Sequence, residues 1–254
     1  MNKTVKKVLI NLAYPVGIAG FLLIVWAIAA AAVNNYFILP DLGETARSFW
    51  AALGQAEFWA AFGGTLLRTL ISFVISLIMG LGFAVLALLF PVARKILSPV
   101  TAFCRALPTL VIVLILAVWM PSQFVPVVVS LCIAFPMLYS GVLGAFNGVD
   151  RDLVEMSRVY GVPRKKMLTQ LWIPSVMPVV LPVFGSTLSL LVKLMIAAEI
   201  LASTASSLGS LISGANAFFD MGRVFALTLT AIIMAVTLEG IMTLIARRLT
   251  RWAR

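Results

Sequence analysis

Three charged residues interrupt long apolar runs: Arg105 within 103–109, Lys193 within 190–196 and Glu199 within 196–202. A charge held at bilayer depth costs about 2.5–3.5 kcal/mol on insertion scales, so such a residue usually faces a protein interior or a watery cavity. Arg105 and Lys193 are both positive and suit the stabilisation of an anion in transit, with Pro108 available to kink the chain beside Arg105. Glu199 stands near the far end of the same apolar run as Lys193 and joins Arg105, Pro108 and Lys193 as a candidate for the translocation pathway. An alternative stays open, in which Arg105 reaches lipid phosphates while Lys193 pairs with Glu199 or Glu239 to hold helices together. Arg68 and Glu239, nearer the ends of apolar runs, read as structural.

Acid–base, nucleophilic and metal chemistry find little to work with. The chain has no histidine, which excludes an imidazole base and His-ligated metals, and no G-x-S-x-G elbow compensates. Cys104 and Cys132 lie in apolar stretches without partners at metal-ligand spacing and read as small hydrophobes, so no metal site is expected. No G-x-x-x-x-G-K-[ST] loop is present to cradle nucleotide phosphates. The chain is therefore not expected to be an enzyme or to carry a cofactor, and ATP, if used, is bound by another subunit.

The elements that position these residues follow from composition. Of the 254 residues 62% are hydrophobic and 11% charged, against roughly half and a quarter in soluble domains. Keeping that surface wet costs about 25 cal/mol per Å². The chain is thus expected to be an all-α polytopic membrane protein forming a single domain over residues 1–254. Six segments reach the roughly 20 apolar residues that a helical span requires: 8–33, 65–90, 97–120, 124–146, 175–200 and 222–246. The first serves as an N-terminal span and 65–246 as the core. The first apolar run exceeds the 7–15 residues of a signal core, so it is expected to be retained.

The net charge of +10 does not imply nucleic acid, because no basic stripe is interleaved with aromatics. Lys3, Lys6 and Lys7 precede the first span, Arg94 and Lys95 follow the second, and Arg247, Arg248, Arg251 and Arg254 close the chain. The positive-inside rule places all of these, and both termini, in the cytoplasm of a multi-pass inner-membrane protein. Arg151, Arg158, Arg164, Lys165 and Lys166 put the loop over 147–174 on the same side.

That loop contains two short helical patterns. Asp150 or Asp152 can cap a helix whose apolar residues Leu153, Met156, Val159 and Tyr160 recur at three and four, and Gly161 can end it in a left-handed conformation. Pro163 suits the first turn of the second helix, and Pro174 is expected to force a bend at re-entry into the membrane.

Glu155, then Gly161 six residues on, then Ile173-Pro174 resemble the EAA loop of binding-protein-dependent importer permeases of the type I architecture. Glu155-Met156-Ser157 stands where that family typically has Glu-Ala-Ala, so the middle position departs from the pattern. Further fragments, Ile38-Leu39-Pro40, Leu66-Leu67-Arg68, Arg105-Ala106-Leu107-Pro108, Ala197-Ala198-Glu199 and Ser207-Leu208-Gly209, resemble the nitrate, sulfonate, taurine and bicarbonate branch. The resemblance implies a homodimer of this chain, a cytoplasmic cassette ATPase dimer that binds ATP, and an extracytoplasmic binding protein. It also implies that Asp152, Glu155, Met156, Ser157, Tyr160, Gly161 and Pro174 couple the chain to the ATPase. A small anion is the expected solute, with a vitamin precursor or other heterocycle as the alternative. A stand-alone channel or secondary transporter is the competing class; it predicts internal repeats, and none is evident.

Overall fold

The computed structural model describes residues 3–251, so Arg254 and its contribution to the terminal positive charge lie outside the described residues. Every element among the described residues is helical: α1 Lys3–Val33, α2 Leu42–Leu53, α3 Ala56–Leu89, α4 Pro91–Ala106, α5 Thr109–Trp119, α6 Val125–Asn147, α7 Arg151–Val159, α8 Arg164–Met167, α9 Ile173–Leu201, α10 Leu208–Ala217 and α11 Met221–Leu249. The all-helical membrane fold expected from composition is what forms.

Among the described residues, four helical runs are long and apolar enough to cross a membrane: α3, α6, Arg164–Leu201 and α11. The expected single span over 97–120 is instead two helices, α4 and α5, bent by 95° at a short break. Pro108 is the cause. It caps α5 with extended backbone, and Leu107 before it is also extended (ψ 126°), as the steric demand of a proline ring on its preceding residue requires. Helix α4 also begins ahead of the expected span, at Pro91. Within α1 the stretch Gly20–Val33 is a shorter apolar helix; the side chains of 8–13, which belong to the first expected span, lie outside the described residues.

Pro174 does not interrupt the helix at re-entry. Residues 168–172 form a π-turn, in which the Ile173 N–H donates to the Leu168 carbonyl, and the helix runs on from Arg164 to Leu201. One extra residue in the turn re-registers the ladder just where proline lacks a donor, so the helical hydrogen bonding continues through Pro174.

The residues group into two compact units, Met1–Trp59 with Leu211–Thr230, and Ala60–Ser210 with Ala231–Arg254. In the first unit Trp26 donates from Nε1 to the Pro40 carbonyl (3.1 Å) and packs on Phe225, while Tyr36 donates to Asp220 (3.1 Å). Asp41 caps α2 by accepting from the Glu44 N–H at 2.7 Å. The second unit is built on α6 and α9, which pack along each other. One buried cluster joins Phe73, Ala134, Leu188 and Leu191; a second seats Ile112 and Val113 of α5 against Val125, Val129 and Ala198. A third runs from Ala84 and Phe135 through Val142 to Val149, Val154 and Val176, and so ties α7 to the ends of α6 and α9.

Candidate functional site

Glu199 is fully buried, at 0% exposure. Its carboxylate pairs with the Arg68 guanidinium at 3.0 Å and accepts from Thr65 Oγ1 at 2.8 and 3.1 Å and from the Gly209 N–H at 3.3 Å. Thr65 in turn accepts from the Leu208 N–H at 2.9 Å. The carboxylate thus sits at the N-terminus of α10, where unpaired N–H groups and the helix dipole favour an anion. Arg68 also donates to the Ala205 carbonyl (3.2 Å) in the loop that leads there. Ser207 and Ser210 close the turn reciprocally, each accepting from the other's N–H (2.9 and 3.2 Å), in the manner of a capping box. Glycine is required at two close approaches. A Cβ on Gly209 would lie 2.5 Å from the Glu199 Cβ, and one on Gly64 would lie 2.5 Å from the Ser206 carbonyl oxygen.

Three sequence fragments read separately, those ending at Arg68, Glu199 and Gly209, therefore meet in one cluster. Neither suggested pairing of Lys193 forms: among the described residues Glu199 is paired with Arg68, and no ion pair joins Lys193 to Glu239. Lys193 is exposed on the surface of the single chain, in the last third of α9.

Arg105 lies in the last turn of α4, just before the bend at Leu107-Pro108. Its Nη2 donates to the Pro136 carbonyl at 3.2 Å and to Ser140 Oγ. It lines an open cleft of about 280 Å³ between α4 and α6, with Arg94, Ser98, Thr101, Tyr139 and Ser140 also in the wall. Arg105 and Glu199 are thus parts of separate arrangements.

Helix α7 takes the form the loop sequence suggested. Asp150 is the cap and accepts from the Asp152 N–H at 2.9 Å; Asp152 is not itself the cap. At the other end the Gly161 N–H donates to Arg158 and the Val162 N–H to Ser157, with Gly161 at φ +67°. That bond pair and the left-handed residue are a Schellman motif. Ser157 Oγ donates back to the Leu153 carbonyl at 2.8 Å. Pro163 is the residue before α8, one position earlier than a first-turn placement. Val154 is the one buried residue of α7. Leu153, Met156, Val159 and Tyr160 face outward, the last two at 85% and 79% exposure. Asp152 and Glu155 are also exposed. Behind the helix, Phe146 stacks on Trp172 with centroids 5.7 Å apart, and both pack against the cluster that holds Val154.

Thr65, Gly64 and the Leu208 N–H were missed by reading the sequence. The signal for Thr65 was its place three residues before Arg68 on one helical face, but its partners are far along the chain and no local pattern marks them.

Apolar helices in sufficient number, a charge cluster sealed among them and a capped amphipathic helix held beside their ends define an integral-membrane transport subunit of the type I importer permease fold. A family model, the binding-protein-dependent transport system inner membrane component, matches residues 76–251. The chain belongs to that family and is a permease subunit of an ATP-binding-cassette importer. It is 28% identical over 234 residues to the riboflavin transport system permease protein RibX of Chloroflexus aurantiacus, covering 91% of this chain and 87% of that protein. It is 23% identical over 242 residues to the taurine transport system permease protein TauC of Escherichia coli, covering 92% and 87%. In fold it is similar to a chain from a bacterial transporter that imports the acidic polysaccharide alginate, with a TM-score of 0.65 at 15% identity over 98% of each.

Proposed function

We propose that this chain, as one of two identical copies, forms the route by which a small anion crosses the inner membrane, delivered by an external binding protein and driven by a cytoplasmic ATPase dimer that binds the ATP. The observation that carries the reading is α7: a doubly capped helix whose apolar residues Leu153, Met156, Val159 and Tyr160 point away from their own chain. On an otherwise charged loop such a stripe is stable only against a partner, and helix-in-groove docking fits its spacing. Val154 and the Phe146–Trp172 stack connect it to α6 and α9, so a displacement of α7 moves the spans as packed bodies. The basic residues beside α7 favour a cytoplasmic loop and cytoplasmic termini.

The route itself is assigned to Arg105, Pro108 and Lys193. Lys193 is exposed on α9 without a partner among the described residues, and a lone charge at that depth must face a second copy or a watery path. Glu199 supports the route from behind, by holding α3, α9 and the start of α10 together. Similarity to the taurine permease favours a solute that carries an anionic sulfonate group; similarity to the riboflavin permease favours a heterocycle as the second reading.

Co-expression with a cassette ATPase, detergent purification and ATP hydrolysis assays with loaded binding proteins test the assignment. A complex whose hydrolysis rises with a loaded binding protein is expected. A homomeric chain that binds no ATPase yet exchanges solute in liposomes would show a stand-alone transporter instead. In the assembled complex, Lys193→Met is expected to lower anion uptake roughly tenfold, the loss of one charge-assisted contact, with complex yield unchanged. Uptake at the parental rate would remove Lys193 from the route.

A further inference from the structure

Helix α4 carries Arg94, Ser98, Thr101 and Arg105 at steps of four, three and four, so all lie on one helical face. Opposite them α6 presents Tyr139 and Ser140, and the two helices line an open cleft of about 280 Å³. This is near the lower bound of ligand pockets, about 300–1,000 Å³, and suits a small headgroup. Two guanidinium groups line it and no carboxylate does, so the cleft has a positive charge that nothing in its wall neutralises. Arg105 is already oriented, because its Nη2 is held by the Pro136 carbonyl and Ser140 Oγ. Its Nε and Nη1 have no partner among the described residues, and neither has the Arg94 guanidinium. The Thr101 hydroxyl is committed to the Ser98 carbonyl at 3.0 Å, which leaves the Ser98 hydroxyl as the further donor on that face.

We propose that the Arg94–Arg105 face of α4, closed by Ser140 of α6, is a binding site for a tetrahedral oxyanion of the sulfonate, sulfate or phosphate type. Planar guanidinium forks recognise such groups through paired, charge-assisted hydrogen bonds. The chemistry is shared by a dissolved oxyanion and by the phosphodiester of an anionic lipid. It does not depend on which solute is carried or on the ATPase, since occupancy is measured on the permease chain alone.

The test has two arms on the full chain purified in detergent with zwitterionic lipid. In one, sodium sulfate is titrated against sodium chloride at matched ionic strength while the thermal midpoint is followed. In the other, the chain is exchanged into phosphatidylcholine nanodiscs doped with phosphatidylglycerol, and retained lipid is counted by native mass spectrometry. A saturable shift with sulfate identifies a site open to dissolved anions, and retained phosphatidylglycerol identifies a lipid site; either supports the proposal. Arg94→Gln and Arg105→Gln are each expected to weaken binding by roughly tenfold or more, with Arg94→Lys falling between parent and Gln. Because Arg105 also holds α6, Arg105→Gln counts only if it folds as the parent does; Arg94→Gln removes an exposed group with no partner and decides the matter in either case. Binding in Arg94→Gln equal to the parent, or neither a sulfate-specific shift nor retained phosphatidylglycerol, overturns the site.

Discussion

Arg68→Met is expected to lower the thermal midpoint of the detergent-solubilised chain by on the order of 10 °C, reflecting about 3–5 kcal/mol for a buried charge stripped of its partner. The substitution preserves length and stem but removes the guanidinium that lies 3.0 Å from a carboxylate with no exposure to solvent. Thr65 and the Gly209 N–H continue to donate, yet neither carries a full positive charge. The control is the double variant Arg68→Met with Glu199→Gln. A neutral amide oxygen still accepts from Thr65 and Gly209, so the double variant is expected to recover most of the loss. Such non-additivity is the signature of two groups acting through one contact. A midpoint for Arg68→Met at the parental value, or a double variant no better than the single, would show that the pair does not hold the fold.

The same cluster shows where sequence reading succeeds and where it stops. Spans such as α3, α6 and α11 are legible because an apolar run of sufficient length has one stable form in lipid, the helix, which satisfies its own backbone. The caps of α7 are legible for a related reason: Asp150 and Gly161 act on groups two or three residues away. The Arg68–Glu199 pair is different. Its members are 131 residues apart, and a local pattern cannot say which of several buried charges meet. Lys193, six positions before Glu199 on the same helix, is suggested as a partner by proximity alone, but six residues correspond to 600° of turn, or 240°, which places the two on different faces. The break in the expected third span was signalled by Pro108; α4 is amphipathic, with Ser98, Thr101 and Arg105, whereas α5 is apolar beyond its first residue, but composition does not say where the chain turns. The π-turn over 168–172 left no sequence mark beyond Pro174, whose missing donor the extra residue accommodates.

Tyr160→Asp and Val159→Asp are expected to abolish co-purification of the ATPase while leaving the permease itself intact. Both side chains are almost wholly exposed in the single chain, at 79% and 85%, so neither substitution touches its core and each is expected to change its stability by no more than about 0.5 kcal/mol. In the complex they would place a desolvated charge in an apolar groove. Loss of a hot-spot contact is worth about 2 kcal/mol or more, roughly thirtyfold in affinity. Gly161→Pro reaches the same result by another path, since proline fixes φ near −65° where the chain needs +67°, and it deletes the N–H that donates to Arg158. The helix then loses its defined end and presents its stripe at the wrong angle. Glu155→Lys, by reversing an exposed charge on the same helix, is expected to weaken association less than the aspartate variants do, because a rim charge acts mainly on the encounter rate. Val154→Ala separates docking from transmission. It leaves the outward stripe in place but thins the contact between α7 and the cluster that includes Val149 and Val176, so the ATPase should still co-purify while its hydrolysis no longer responds to a loaded binding protein. ATPase recovered at parental yield with Tyr160→Asp, Val159→Asp and Gly161→Pro alike would remove α7 from the interface and, with it, the observation on which the importer mechanism rests.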